Sequence, residues 1–153
     1  MNREISIKKV KFDAEEAYRL GDFFCSEAIV NSIRNNIDPE MPEALIAVAS
    51  GFPVGIGKSK CVCGAVSGGV MAISYFFGRT KGGDPKVNKN LELAYELQEE
   101  FKKNHKVLCC KVLTHGMDMG AKEHKEQCIS FTGEVAEVAA TIIARELGLK
   151  VID

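Results

Sequence analysis

Six of the 153 residues are cysteine: Cys25, Cys61, Cys63, Cys109, Cys110 and Cys128. In a chain whose thiols stay reduced, that number points to metal or redox chemistry more than to disulfide staples. The thiolate is the form that ligates metal or attacks a disulfide. A helix N-terminus favours it through unpaired N–H groups and a partial positive charge. Cys25, Cys63 and Cys110 fall where helices are expected to begin, and Cys128 stands a few residues before another. Thiolates gathered in this way need a cation or cluster to balance them. Four sulfurs in a low-dielectric pocket suit an iron–sulfur cluster, and four tetrahedral ligands suit zinc. The spacing alone (C-x-C, C-C and two isolated cysteines) matches no standard zinc or ferredoxin run. A small buried hydrophobe is the other use of each cysteine. Cys63, set between a glycine-rich loop and a helix, is the strongest candidate for chemistry.

The elements that must position these sulfurs read as helices. The first dozen residues alternate apolar and charged and suggest a short strand or extended arm. A helix is expected from Asp13, with Ala14, Ala17, Tyr18 and Leu20 at helical spacing. Gly21 offers a stop and Asp22 an N-cap for a second helix, from Cys25 to about Asn35; a continuous helix through Gly21 is the alternative. Asp38-Pro39 suggests another start, and Pro42 to Ser50 a short buried helix. Residues 51–60 form a glycine-rich loop. From Gly64 to Phe77 the chain is apolar all round, which places that helix in the interior, and its small residues invite close packing within the chain or across a dimer. Lys86 to Lys103 carries a stripe of Leu91, Ala94, Leu97 and Phe101. Val107 to Leu113 reads as a short helix and Thr114 to Gln127 as a polar loop. The last helix has Thr132 as N-cap and Gly148 as stop. The expectation is an all-α fold: one compact domain, residues 1–153, of about six helices.

Composition narrows the function. A net charge of -1 with 27% charged residues argues against a nucleic-acid-binding surface. No apolar run reaches the roughly 18 residues needed to span a bilayer. The opening residues, Met1 to Phe12, lack the apolar stretch of a signal peptide, so a cytoplasmic location is expected.

Weaker motifs remain. Cys61-Val62-Cys63 could chelate a soft metal or pair an attacking with a resolving thiol. Vicinal Cys109-Cys110 could close a strained disulfide, although Cys109 reads better as a spectator. His105, His115 and His124 read as surface residues, with His115 near enough to Cys110 to support it. Met117 and Met119 are soft donors in a loop. Residues 55–59 lack the first glycine of a phosphate loop, because position 52 is Phe52.

Taken together, Gly51-Phe52 through Cys63-Gly64-Ala65-Val66-Ser67-Gly68-Gly69, with Cys25, Cys110 and Cys128 around them, resemble the C_GCAxxG_C_C redox-active proteins. The resemblance runs from about Ala14 to Leu147. It implies that the family's four cysteines are Cys25, Cys63, Cys110 and Cys128. Cys110 is preferred to Cys109 because Cys-Lys-Val-Leu is similar to the family's cysteine, basic residue, x, Leu pattern. The family is similar to the non-haem part of split-Soret cytochromes, where four cysteines are held to bind an iron–sulfur cluster in a helical dimer. The chain has no C-x-x-C-H, so haem attachment is not implied. Pro53-Val54 interrupts a loop that is commonly richer in glycine, and Cys61 and Cys109 are additional.

The expected function is therefore electron transfer or redox sensing through an iron–sulfur cluster, with an unknown redox partner and a homodimeric assembly. A thiol–disulfide oxidoreductase using Cys63 with Cys61 or Cys25, and a structural zinc module, are the alternatives.

Overall fold

In the computed structural model, which describes residues 1–153, the chain begins with a two-residue strand β1 (Glu4–Ile5). It pairs in parallel with β2 (Lys150–Val151), Glu4 opposite Lys150 and Ile5 opposite Val151. The expected extended arm is thus confined to two residues. Ser6 ends it by accepting the Lys9 N–H on its Oγ at 3.0 Å, a side-chain N-cap. Helix α1 (Ile7–Arg19) therefore starts six residues before Asp13. Val10 and Ala14, four apart, fix its inward face and are fully buried.

Helix α1 ends at Arg19, and Gly21, with a φ of +81°, breaks the path towards α2 (Cys25–Asn36). The N-cap position of α2 is Phe24 rather than Asp22, and the Glu27 carboxylate accepts the Phe24 N–H at 3.2 Å. Asp38-Pro39 does not start a helix. The Asp38 carboxylate instead accepts the Glu40 N–H and the Tyr75 hydroxyl, closing a turn. The short α3 (Ala44–Ala49) follows, and only Ala49 in it is buried, so the expected buried helix is largely a surface one.

Helix α4 (Gly64–Phe77) is the axis of the molecule, packed on α2, α5 (Val87–His105) and α7 (Lys122–Leu147). Its small residues face the chain's own helices. Gly68 lies against the Ser26 backbone of α2, and Gly69 against Val135 of α7 and Leu97 of α5. A Cβ at position 68 would stand 2.7 Å from Ser26 Cα and 2.9 Å from its carbonyl oxygen. Overpacking of this kind costs about 1–3 kcal/mol. Gly68→Ala should therefore lower the urea midpoint by a corresponding amount, and an unchanged midpoint would show that α2 and α4 can part freely.

On α5 the buried stripe is Leu93, Ala94, Leu97 and Phe101, while Leu91 is 60% exposed. The expected stripe was right at three positions and misplaced at Leu91. Helix α6 (Cys110–Leu113) is a single turn, three residues shorter at its start than expected.

The largest departure is α7. It begins at Lys122, ten residues before Thr132, and absorbs much of the expected loop. Thr132 is interior to the helix, its hydroxyl donating to the Cys128 carbonyl at 2.6 Å. The first turns carry exposed Lys122, Glu123, Lys125 and Glu126, which hide the period. The inward residues there are His124, Cys128 and Phe131, at spacings of four and three. Seven helices in all surround one cluster of 26 buried residues, and none is long and apolar enough to cross a membrane.

Candidate functional site

The site is assembled around a short antiparallel ribbon. Val62 pairs with Cys109, the Cys63 N–H donates to the Leu108 carbonyl at 2.8 Å, and the Cys110 N–H donates to the Cys61 carbonyl. This ribbon brings Cys63, the N-cap residue of α4, beside Cys110, the first residue of α6. Cys25 opens α2 and lies against residue 64; a Cβ on Gly64 would sit 2.6 Å from its sulfur. Glycine there lets α2 and α4 start side by side. Cys128 completes the group from the second turn of α7. All four cysteines line one cavity of about 30 Å³, walled also by Tyr18, Phe24, Leu113, Thr114, His124 and Phe131. Cys61 is exposed and Cys109 half-buried, and neither lines the cavity.

The strand-like entry to the ribbon is held by an unusual loop. Val54, Gly55, Ile56, Gly57 and Lys58 all have φ between +56° and +67°, and Lys60 follows at +57°. This is a run of left-handed backbone, which costs a non-glycine residue roughly 1–2 kcal/mol. It persists because its ends are tied: the Lys60 N–H donates to the Val54 carbonyl at 3.0 Å and the Cys61 N–H to the Gly55 carbonyl at 2.8 Å. The expected glycine-rich loop is therefore a structured clamp on the segment that carries Cys63.

The electrostatics depart from the expectation that helix starts lower the thiol pKa values. Burial pushes the Cys25 thiol far up, reinforced by neighbouring Cys63 and Cys128, and the Ser26 N–H only partly opposes it. Burial likewise raises Cys63 against the N–H groups of Val66 and Ala65. It raises Cys110 against the Thr114 hydroxyl and the Lys60 ammonium. Cys128 is pushed up to about 11, chiefly by burial and then by Cys63. Desolvation outweighs the helix dipole because the charged form loses most of its water among the apolar walls of the cavity. Cys128 also has no helix start beside it, since α7 begins six residues earlier.

These shifts set a pH dependence for the metal-free protein. A thiol whose folded pKa lies above its unfolded value, about 9, contributes stability that is complete below that value and lost as pH rises. The thermal midpoint should hold up to about pH 9 and fall between there and pH 11. A midpoint independent of pH across that window would mean that the four thiols are not buried together.

Sequence reasoning missed His124. It is buried, lines the cavity, and places Nε2 3.4 Å from Cys128 Sγ. Its Nδ1 accepts the Gly120 N–H at 3.1 Å, so the neutral ring carries its proton on Nε2, directed at the sulfur. Burial lowers its pKa and keeps it neutral. The signal was the His124-x-x-x-Cys128 spacing, one helical turn, concealed by starting the helix at Thr132. His115 is exposed, so the supporting histidine is His124 instead. His105 is held by Glu134 at 2.6 Å between the rings of Phe101 and Phe131, away from the cavity lining.

No three His, Cys, Asp or Glu side chains close on a point where a single metal ion would sit. The four cysteines line one cavity, and each arrives from a different segment of the chain. Fold and site together define a helical protein built around a buried four-cysteine cavity. The profile of the C_GCAxxG_C_C family, described as "Putative redox-active protein", matches residues 23–142, and the chain belongs to that family. No curated protein and no solved structure matches it at a significant level.

Proposed function

We propose that the cavity is a redox centre in which Cys25, Cys63, Cys110 and Cys128 hold an iron–sulfur cluster for electron transfer or redox sensing. The observation that carries this reading is the convergence of four thiols, from four separate segments, on one water-poor cavity. Such a set is unstable as bare thiolates and is balanced by a polynuclear cation, in which different sulfurs bind different irons. A single zinc ion would draw on the same four sulfurs in a tetrahedron, and the family resemblance favours the cluster over it. The free space of about 30 Å³ holds one or two waters. To hold a cluster, the four thiols would have to turn outward from this space and give up their protons.

When bound, the cluster supplies one-electron chemistry. The chain's own residues bind it, exclude water through Tyr18, Phe24 and Phe131, and direct N–H groups at the sulfurs. The Ser26 N–H faces Cys25, those of Ala65 and Val66 face Cys63, and His124 Nε2–H faces Cys128. Donors to a ligating sulfur withdraw charge and raise the reduction potential. The protein works in the cytoplasm, where thiols stay reduced, and exchanges electrons with a partner. The homodimer rests on the family resemblance, since the small residues of α4 are used within the chain.

The second reading is thiol–disulfide exchange between Cys63 and Cys25, favoured by the Cys25 sulfur lying against residue 64. Cys61 fits the resolving role less well because it is exposed and outside the cavity. Oxygen-free purification followed by iron and acid-labile sulfide analysis tests the proposal. Brown protein with both elements supports the cluster. Colourless protein with stoichiometric zinc overturns it, as does metal-free protein that forms a Cys25–Cys63 disulfide on oxidation.

A further inference from the structure

A groove of about 720 Å³ adjoins the cysteine cavity and shares Tyr18, Phe24, Val54 and His124 with it as a common wall. Its size falls within the 300–1,000 Å³ typical of small-molecule sites. Three segments line it: the left-handed loop, the turn between α1 and α2, and the start of α7. The loop contributes Lys58 and Lys60. Neither stands in an ion pair within the chain, as is also true of Lys125 on the facing wall. Both occupy left-handed backbone, a cost the fold maintains at this rim and nowhere else over so long a run.

The other walls complete the chemistry. Lys125 donates to the Arg19 carbonyl at 3.1 Å and so is anchored beside the groove. Asp22 and Glu27 also line it, so three lysines stand against two carboxylates and the lining is net cationic. Phe24 is 56% exposed although it is a large apolar ring, and its face is uncovered beside Tyr18, whose ring meets it edge-on at 6.1 Å. An exposed ring within a charged groove provides a surface for a flat apolar body.

We propose that this groove binds a small organic anion, its charged group on Lys58 and Lys60 and its flat apolar body on Phe24. A ligand so placed lies against His124 and Tyr18, one side-chain layer from the cysteines. Its use as a redox substrate rests on the reading of the cavity given above; its binding does not.

The test uses the full chain and two probes with the same rings. One is 8-anilinonaphthalene-1-sulfonate, an anion; the other is N-phenyl-1-naphthylamine, which lacks the sulfonate. The anion should bind at least about tenfold more tightly, with affinity falling as salt is raised. The double variant Lys58→Gln/Lys60→Gln should lose roughly tenfold for the anion and little for the neutral probe, and Phe24→Ala should weaken both. Equal affinity for the two probes, or an unchanged anion affinity in the double variant, would overturn the proposal. Should that variant fold poorly, amide chemical shifts of the unmodified chain decide: changes confined to residues 21–27, 54–60 and 119–125 support the site, and changes elsewhere refute it. Anion binding that survives in Cys63→Ser separates the groove from the cluster.

Discussion

Cys63→Ser should remove the iron, the sulfide and the brown colour almost completely, while Cys61→Ser and Cys109→Ser leave all three. Position 63 makes this a clean experiment. Cys63 is the N-cap residue of α4, and serine is a preferred N-cap, so the substitution supports the helix start. Its N–H still donates to the Leu108 carbonyl, so the ribbon that carries Cys110 stays in place. What is lost is a polarizable sulfur facing Cys25, Cys110 and Cys128 across the cavity. Circular dichroism should show an unchanged helical fold beside the lost chromophore. Bleaching by Cys109→Ser with colour retained in Cys63→Ser would mean that the exposed side of the ribbon, not the cavity, carries the chemistry.

Gly55→Ala should be the most destabilising single-methyl change, costing about 3 kcal/mol or more. A Cβ there would stand 2.6 Å from the Lys60 carbonyl carbon and 2.7 Å from Lys60 Cα, closer still to the Cys61 nitrogen. All of these are backbone atoms that cannot rotate away. The residue also has φ +66°, which alone costs a non-glycine residue roughly 1–2 kcal/mol. Gly57 is the control. Its φ is +57°, but nothing lies within 4 Å of a Cβ at that position. Gly57→Ala should therefore cost only the conformational part, about 1 kcal/mol. Urea unfolding of the pair separates clash from conformation, and equal midpoints would show that the loop is not clamped. Because the clamp ends at Cys61, Gly55→Ala should also disorder the ribbon and weaken whatever the cysteines hold.

Much of the scaffold was legible in the residues. Gly64 to Phe77 was recognisable as the central helix because it is apolar on every side, and the structure begins and ends it at those residues. Cys25 could be placed at the head of α2 because Gly21 breaks the preceding helix. The start of α7 was not legible, since its first turns bury a histidine and a cysteine instead of aliphatic residues. That one misreading displaced Cys128 from helix to loop and hid His124. The left-handed clamp was equally hidden. Val54 and Ile56 are β-branched, and nothing local predicts positive φ for such residues; only the long-range bonds that tie the ends of the loop hold them there.

From the chain alone came the fold class and the family, because periodicity, composition and motif are properties of neighbouring residues; the choice of Cys25, Cys63, Cys110 and Cys128 came with the family resemblance. Whether those sulfurs meet, and in what state, was decided in three dimensions. The Val62–Cys109 pairing, the close starts of α2 and α4, and the packing of α7 on both helices join positions as far as 103 residues apart in number, from Cys25 to Cys128. The same closure sets the protonation of the thiols. A helix start lowers a thiol pKa through a few N–H groups, whereas burial removes much of the hydration shell, and here the larger effect prevails.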